Sequence, residues 1–390
     1  MGDFVNYNKS RQSDKRTARL GNLVCSLLFV LFSVVYLGIF QRDVMEALHF
    51  SLAHGKTTFA IVPTTIVITI LLLALRWVVN ILMKLKGWTS VFAFVPSFIG
   101  LVALTDVDRS LYKCDYAGMW WWLMPLLTVV IVVAVRIMKG GDDYSVGKGS
   151  EPKWAIIWNV FVMLMLSLAT LTIGNTNKVF HNELRMEHLL VNGNNEEVLK
   201  VARLSDRTSR TMTALRGLAM SKENVMGEKL FEYPQYFEAD GLFFSNDSCE
   251  TLRYTNDSIY DMLGDTPKDW EDSQSFLKRI CYEETGTSKA VEYYLMALLL
   301  NKDLNEYAVA IGDFMMKGDT IQRYLKEAVV MYREMNPEWE LVVDADSMTY
   351  DRFMEYKVFK NRPFATEKER ENRLRKRFGD TYWWYYDYQK

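Results

Sequence analysis

The chain has four histidines, all between or just after long apolar runs: His49, His54, His181 and His188. His181 and His188 are seven residues apart, so a helix would place both on one face. Imidazole and carboxylate groups are the side chains that most often bind zinc or transfer protons near neutral pH. A metal site or an acid–base site is therefore the chemistry that this set of side chains could support.

Four acidic residues lie close to these histidines in sequence: Asp43, Glu46, Glu183 and Glu187. Asp106, Asp108 and Cys114 lie in another loop that is predicted on the same side of the membrane. Their spacing matches no H-E-x-x-H motif, and the chain also lacks Walker A, G-x-S-x-G and G-x-G-x-x-G patterns. We therefore assign no catalytic, cofactor-binding or metal-binding residue, and the four histidines are the one candidate cluster. The alternative is that these imidazoles form hydrogen bonds at helix ends in a wet membrane interface.

Five apolar runs must position these residues, and each is near the length that crosses a bilayer as a helix, about 20 residues. They span residues 20–40, 58–82, 89–105, 120–138 and 154–173. The third run is the weakest, because it is short and contains Pro96 and Gly100. We expect it to be kinked or buried against its neighbours. No A-x-A-like cleavage site follows the first run, so we expect that helix to be retained.

The distribution of Lys and Arg predicts how these runs are oriented. The basic leader, residues 1–19, and the two other segments on its side carry 5, 3 and 4 such residues. The loops on the opposite side carry Arg42, Lys56, Arg109 and Lys113. Cytoplasmic loops are enriched in Lys and Arg. The sequence therefore predicts a membrane protein with a cytoplasmic N-terminus and, after five spans, a C-terminal half outside the cytoplasm. In a bacterium this means spans in the inner membrane and a C-terminal half in the periplasm.

The C-terminal half, residues 176–390, has the apolar spacing of short amphipathic helices. In one of them Val291, Leu295 and Leu298 share a face, and in the next Leu304, Tyr307 and Ile311 do. Helix pairs of this size are typical of tetratricopeptide-like (TPR-like) arrays, although no strict 34-residue signature repeats. An irregular helical domain is the alternative. The predicted fold is all-α: a five-helix transmembrane bundle at 20–175, followed by a soluble TPR-like domain.

Two further features of this half could carry function. Cys249 and Cys281 lie in the predicted periplasmic domain, where disulfides persist, and either a bridge or two separate thiols fits the sequence. The chain closes on a run of aromatic residues: Tyr382, Trp383, Trp384, Tyr385, Tyr386 and Tyr388. We expect half of these rings to cap the last helix, because helical arrays need their final apolar face covered. Stacking on sugars and anchoring at lipid headgroups are the alternatives.

Four stretches of the sequence carry a resemblance to a known protein family. They are GNTNKVFHNELRMEHLL, ALRGLAMSKENVMGEKLFEYPQ, IQRYLKEAVVMYREMNP and GDTYWWYYDY. Through them the chain resembles an uncharacterised family of bacterial membrane proteins, mostly from Bacteroidota, with N-terminal spans and C-terminal TPR-like helices. The resemblance implies the architecture but transfers no activity and no catalytic residue.

Charge and fold together indicate the function class. Residues 177–390 carry 30 Lys and Arg against 38 Asp and Glu, which argues against a nucleic-acid partner. We expect the membrane bilayer and a periplasmic protein to be the partners. The predicted function is a scaffold or accessory subunit of an envelope assembly, without a cofactor. The alternative is a membrane enzyme or transport component that acts on a lipid or an envelope glycan at the outer leaflet.

Overall fold

The structure is a computed structural model. It describes residues 2–113, 119–142, 152–203, 205, 207–245, 251–316, 321–339 and 345–389. All regular secondary structure in these residues is helical, as predicted. The chain forms two compact units, Met1–His181 and Asn182–Lys390.

The described part of the first unit contains six complete helices. They are α1 (Gly2–Val35), α2 (Arg42–Ala53), α3 (Ile61–Met83), α4 (Val95–Thr105), α5 (Trp120–Asp142) and α6 (Pro152–Ile173). One π-helical turn, Tyr36–Phe40, extends α1, and a 3-10 helix, Gly87–Phe94, leads into α4. The basic leader is not separate from the first span, because α1 begins at Gly2 and runs through both.

Four helical segments in the described residues are long and apolar enough to cross a membrane. They are Arg19–Phe40, Ile61–Met83, Gly87–Thr105 and Trp154–Ile173. The described apolar part of α5, Trp120–Ala134, is shorter, so the five-helix count stays a prediction. The third segment changes from 3-10 to α geometry next to Pro96, and half of its apolar window is buried. Irregular backbone at membrane depth needs such protein cover.

The first unit packs through an aromatic core and a few neutral polar contacts. The Phe29 ring lies between Phe94 and Phe98, at 5.4 and 5.2 Å between ring centroids. The Asn159 side chain donates to the Gly87 carbonyl at 3.1 Å and so joins α6 to the 3-10 helix. In apolar lipid the hydrophobic effect gives helices little driving force to associate. Close packing and interhelical hydrogen bonds of this kind provide that driving force instead.

The second unit begins within α7 (Lys178–Val191) and continues, in the residues that the structure describes, through eleven more helices. They are α8 (Asn195–Lys200), α9 (Arg210–Lys222), α10 (Met226–Lys229), α11 (Asn256–Leu263), α12 (Ser273–Tyr282), α13 (Ser288–Leu300), α14 (Leu304–Phe314), α15 (Arg323–Met335), α16 (Ser347–Lys360), α17 (Glu367–Phe378) and α18 (Tyr382–Tyr388). From α12 to α17 each helix packs against the next in chain order. The core is centred on α13, whose side chains from Tyr293 to Leu300 are all buried.

Local sequence explains where these helices begin. Seven of them follow a Ser, Thr or Asp residue whose side chain accepts a hydrogen bond from a backbone N–H of the first turn: Ser209, Asp272, Thr287, Asp303, Asp346, Thr366 and Thr381. Each such cap satisfies one of the free N–H groups at a helix start and contributes about 1 kcal/mol.

Candidate functional site

The histidines of the first unit make local contacts. The ring of His49 lies 3.2 Å from the Thr57 hydroxyl and 5.4 Å from the Phe59 ring. His54 ends α2 in a left-handed backbone conformation, with φ at 49°. His181 is the exception, because its Nδ1 lies 3.8 Å from Asp43 Oδ2 and its Nε2 lies 3.2 Å from the Asn175 carbonyl.

His188 belongs to the second unit, where its ring contacts the Asn192 side chain at 3.1 Å. Asp106 accepts a hydrogen bond from Trp120 Nε1 at 3.0 Å, and Asp108 accepts one from the Ser110 backbone at 2.8 Å. Cys114 lies outside the described residues. Among the residues that the structure does describe, no three His, Cys, Asp or Glu side chains are grouped so that they could hold a metal ion.

A polar cluster inside the first unit joins the ends of α1, α4 and α6. We call Tyr36, Gln41, Thr105, Thr170 and Asn175 the junction cluster. The Tyr36 and Thr105 hydroxyls are 2.7 Å apart, and the Gln41 amide donates to the Asn175 carbonyl at 2.9 Å. The Asn175 backbone N–H in turn donates to the Thr105 carbonyl at 3.1 Å. These hydrogen bonds link the helix ends to one another, so the cluster fixes how the helices meet. The side-chain oxygen of Gln41 is buried without a hydrogen-bond partner among the described residues.

Gly174 has no side chain, and the junction cluster occupies the space that a side chain there would fill. A Cβ at this position would lie 2.0 Å from the Tyr36 hydroxyl and 2.9 Å from the Thr105 hydroxyl. Any larger residue would therefore displace Tyr36. This cluster was not predicted from the sequence, where the one signal for it is the glycine and asparagine directly after the last apolar run.

Two carboxylates of α7 are buried in the second unit. Glu183 accepts a hydrogen bond from the Ser209 hydroxyl at 2.5 Å. Glu187 accepts the backbone N–H groups of Leu252 and Arg253 at 3.1 and 3.2 Å. Burial raises the pKa of Glu187 to about 7, against the opposing effect of these two hydrogen bonds. Glu183 and Glu187, which the sequence offered as candidates for acid–base chemistry, thus hold α7 to its neighbours within this unit.

A third buried carboxylate holds the C-terminal aromatic helix. Glu327 on α15 accepts the Tyr382 backbone N–H at 2.7 Å, and the Arg323 guanidinium lies 2.8 Å from its other oxygen. Burial raises the pKa of Glu327, although the positive charge of Arg323 acts in the opposite direction. The Trp383 indole donates to the Glu327 carbonyl at 2.9 Å. Four of the six closing aromatic residues are buried, and their helix, α18, packs against α15 and α17. We call α18 the C-terminal cap; that it closes a helical array stays a prediction.

The other side of this cap borders an open pocket of about 430 Å³. Its aromatic walls come from the segment after α10 and from α18. We call it the aromatic pocket, and its aromatic lining residues are Phe231, Tyr233, Tyr236, Trp384 and Tyr388. Its polar lining includes Arg203, Glu232, Glu371, Arg375 and Asp380.

Cys281 is buried in α12, and burial raises the pKa of its thiol to about 12. A thiol with so high a pKa forms little thiolate, which is the reactive form. Cys249 lies outside the described residues. The bridge between the two therefore stays a prediction.

A family model matches residues 7–268 and 263–389 of the chain, and its description is Family of unknown function (DUF6057). The chain belongs to this family. Membership confirms the resemblance to an uncharacterised family, whereas the Bacteroidota origin and the TPR-like class stay predictions. No curated protein and no solved structure matches the chain.

Proposed function

We propose that the chain is an inner-membrane protein that presents its second unit to the periplasm, where that unit binds a protein partner. The four apolar helical segments support membrane insertion. The length of α5, 23 residues, supports a fifth span, because about 20 helical residues cross the hydrocarbon core. With five spans, the excess of Lys and Arg on the N-terminal side puts the second unit outside the cytoplasm.

One surface carries the protein-binding part of this proposal. Tyr350, Met354 and Val358 recur every four residues along α16 and are exposed, Val358 by 60%. The opposite face of α16 packs inward through Phe353 and Tyr356, so the exposed stripe plays no part in this core. Exposed apolar stripes are unusual on soluble surfaces, and Tyr and Met are enriched in protein interfaces.

The order of the helices adds support for a TPR-like arrangement. Consecutive pairing from α12 to α17 is the packing of a helical array, and such arrays bind proteins along extended faces. Two departures limit the likeness to a simple array, because α15 also packs against α18 and α13 also packs against α10. A TPR-like domain of irregular build is the form that we propose.

Site-specific crosslinking in native membranes tests the partner. A photoreactive amino acid at Val358 should yield one discrete crosslinked protein, since it lies within the stripe. Val309 on α14 is the matched control, because it is a valine of nearly equal exposure, 61%, on another helix. Equal crosslinking from both positions, or none from Val358, would refute binding at α16.

A compartment-sensitive reporter fused after Lys390 tests the orientation separately. We expect a periplasmic signal. A strong cytoplasmic signal would overturn the topology without affecting the protein-binding proposal.

The second candidate function, action on an envelope glycan or lipid, is favoured by the aromatic pocket, because large aromatic side chains suit sugar faces.

A further inference from the structure

We infer that the aromatic pocket binds a neutral pyranose unit of a glycan. The inference deepens the second candidate function, and it rests on the proposed orientation only for access to envelope glycans. The pocket volume of about 430 Å³ falls in the range of small-ligand sites, about 300–1,000 Å³. It is therefore a site for one or two small rings rather than for a protein surface.

The walls of the pocket combine aromatic rings with polar side chains. Trp384 and Tyr388 lie nearly parallel, with ring centroids 6.4 Å apart and an interplanar angle of 24°. Tyr236 stands at the rim, 47% exposed, and Tyr233 lies deeper and is buried. Tyr and Trp combine an apolar body with a polar tip. Such rings match a pyranose, which has an apolar C–H face and a hydroxyl edge.

The polar groups of the pocket are paired with opposite charges. Arg203 lies 2.9 Å from Glu232, and Asp380 is held by Arg323 and Arg352 at 2.9 and 3.0 Å. Pairing leaves little net charge to attract an ion. It does leave carboxylate oxygens and guanidinium N–H groups, which have capacity for more than one hydrogen bond. These groups suit neutral hydroxyls, which both donate and accept.

One donor in the pocket wall has no acceptor among the described residues. Trp384 is 8% exposed, and its indole N–H is buried without a hydrogen-bond partner. A buried donor without an acceptor is costly and uncommon in native structures. The guanidinium of Arg375, 5.8 Å from the Trp384 ring centroid, contacts the ring and cannot accept from the indole. The N–H itself has almost no accessible surface, so a ligand oxygen would supply the missing acceptor only with a small shift of the Trp384 ring.

Saturation-transfer NMR on the full chain in detergent micelles tests the inference. The probes are chitotetraose, maltotetraose, mannotetraose and the disaccharide of N-acetylglucosamine and N-acetylmuramic acid, each at about 10 mM, where a site with a Kd of about 1 mM is mostly filled. We expect at least one of the three neutral sugars to bind. Preference for the muramic-acid disaccharide would identify peptidoglycan as the source and overturn neutrality.

Matched tyrosines localise the binding. Tyr236→Ala should weaken affinity by about fivefold or more through the loss of a stacking ring. Tyr350→Ala is the control, because Tyr350 is 46% exposed and lies on α16 outside the pocket lining. Trp384→Phe, which retains a ring but removes the N–H, should also weaken binding. No binding by any neutral sugar, or equal affinity in Tyr236→Ala and Tyr350→Ala, would overturn the inference.

The result is independent of the proposed protein partner. Sugar binding is measured on purified protein, so it does not depend on orientation or on a second protein. Loss of crosslinking at Val358 with intact sugar binding would count against the α16 surface alone. Intact crosslinking without sugar binding would count against the aromatic pocket alone.

Discussion

Replacing Gly174 by alanine should destabilise the first unit through one identifiable clash. The added methyl group would lie 2.0 Å from the Tyr36 hydroxyl, so that hydroxyl must leave Thr105. An interhelical hydrogen bond in a membrane contributes about 0.6–1.7 kcal/mol, and overpacking adds about 1–3 kcal/mol. We therefore expect the free energy of unfolding to fall by about 2–4 kcal/mol.

A double-mutant cycle separates this clash from a general effect of the methyl group. Tyr36→Phe removes the hydroxyl that the methyl would strike, and Thr105 retains the Leu101 carbonyl as acceptor at 2.9 Å. In the Tyr36→Phe background, Gly174→Ala should therefore cost at least about 1 kcal/mol less. Gly38→Ala is the control, because its Cβ would come no closer than 4.0 Å to the nearest side chain.

The assay is unfolding of the purified full-length protein in mixed micelles, with the helical signal followed by circular dichroism as the denaturing detergent increases. Each variant yields a free energy of unfolding, and the four members of the cycle yield the coupling. If Gly174→Ala costs the same with and without the Tyr36 hydroxyl, the contact does not act as described. The account of the junction cluster would then be wrong.

The remaining predictions concern buried groups of the second unit. The pKa of Glu187 in the folded state lies above that of the unfolded chain, so the folded state holds its proton more tightly and stability falls as pH rises from about 4.5 to about 7. In Glu187→Gln the free energy of unfolding should no longer fall with pH in this way. The pH-dependent loss that disappears is about 3 kcal/mol, measured by thermal unfolding across that pH window. Glu327→Ala should cost about 3 kcal/mol, because it leaves the buried Tyr382 backbone N–H without its acceptor and removes one of the two carboxylates that pair with Arg323, whereas Glu334→Ala, at an exposed ion pair, should cost under about 1 kcal/mol. Cys281 should resist alkylation in the folded protein and react after denaturation, because its thiol is buried with a raised pKa.

Each of these predictions has an outcome that contradicts it. A pH dependence that is unchanged in Glu187→Gln would mean that another group titrates in that range. Equal costs for Glu327→Ala and Glu334→Ala, measured as melting temperatures, would mean that the C-terminal cap does not depend on the buried carboxylate. Denatured protein that reacts at Cys281 only after reduction, with a matching mass shift, would establish a bridge to Cys249 instead of a free thiol.

Helix identity could be read from the sequence because it depends on local pattern. The apolar runs at 20–40, 58–82 and 154–173 agree with the helical segments to within a few residues. The cap at Thr366 is equally local, since its hydroxyl accepts the Glu369 backbone N–H at 3.1 Å. A run of apolar residues or a cap acts over one or two turns, so neighbours in sequence are sufficient to predict it.

The candidate site was harder to predict, because its members are distant in sequence. The histidines stood out by residue type, yet the structure places His181 beside Asp43 and His49 beside Thr57 and Phe59. The aromatic pocket joins Tyr233 and Tyr236 to Trp384, across almost 150 residues of chain. No periodicity in the sequence predicts that these two segments lie together. The closing aromatic run indicated only one wall of the pocket.

The sequence by itself determined the helical class, the apolar segments and the likeness to an uncharacterised family, because these depend on composition and short-range order. Tertiary structure decided which polar groups are buried and which partners they have. Glu187 and Glu327 look like ordinary surface carboxylates in sequence, and only packing makes them buried acceptors with raised pKa values. Burial and partnership are properties of contacts between distant segments, and the energy of a polar side chain depends on both.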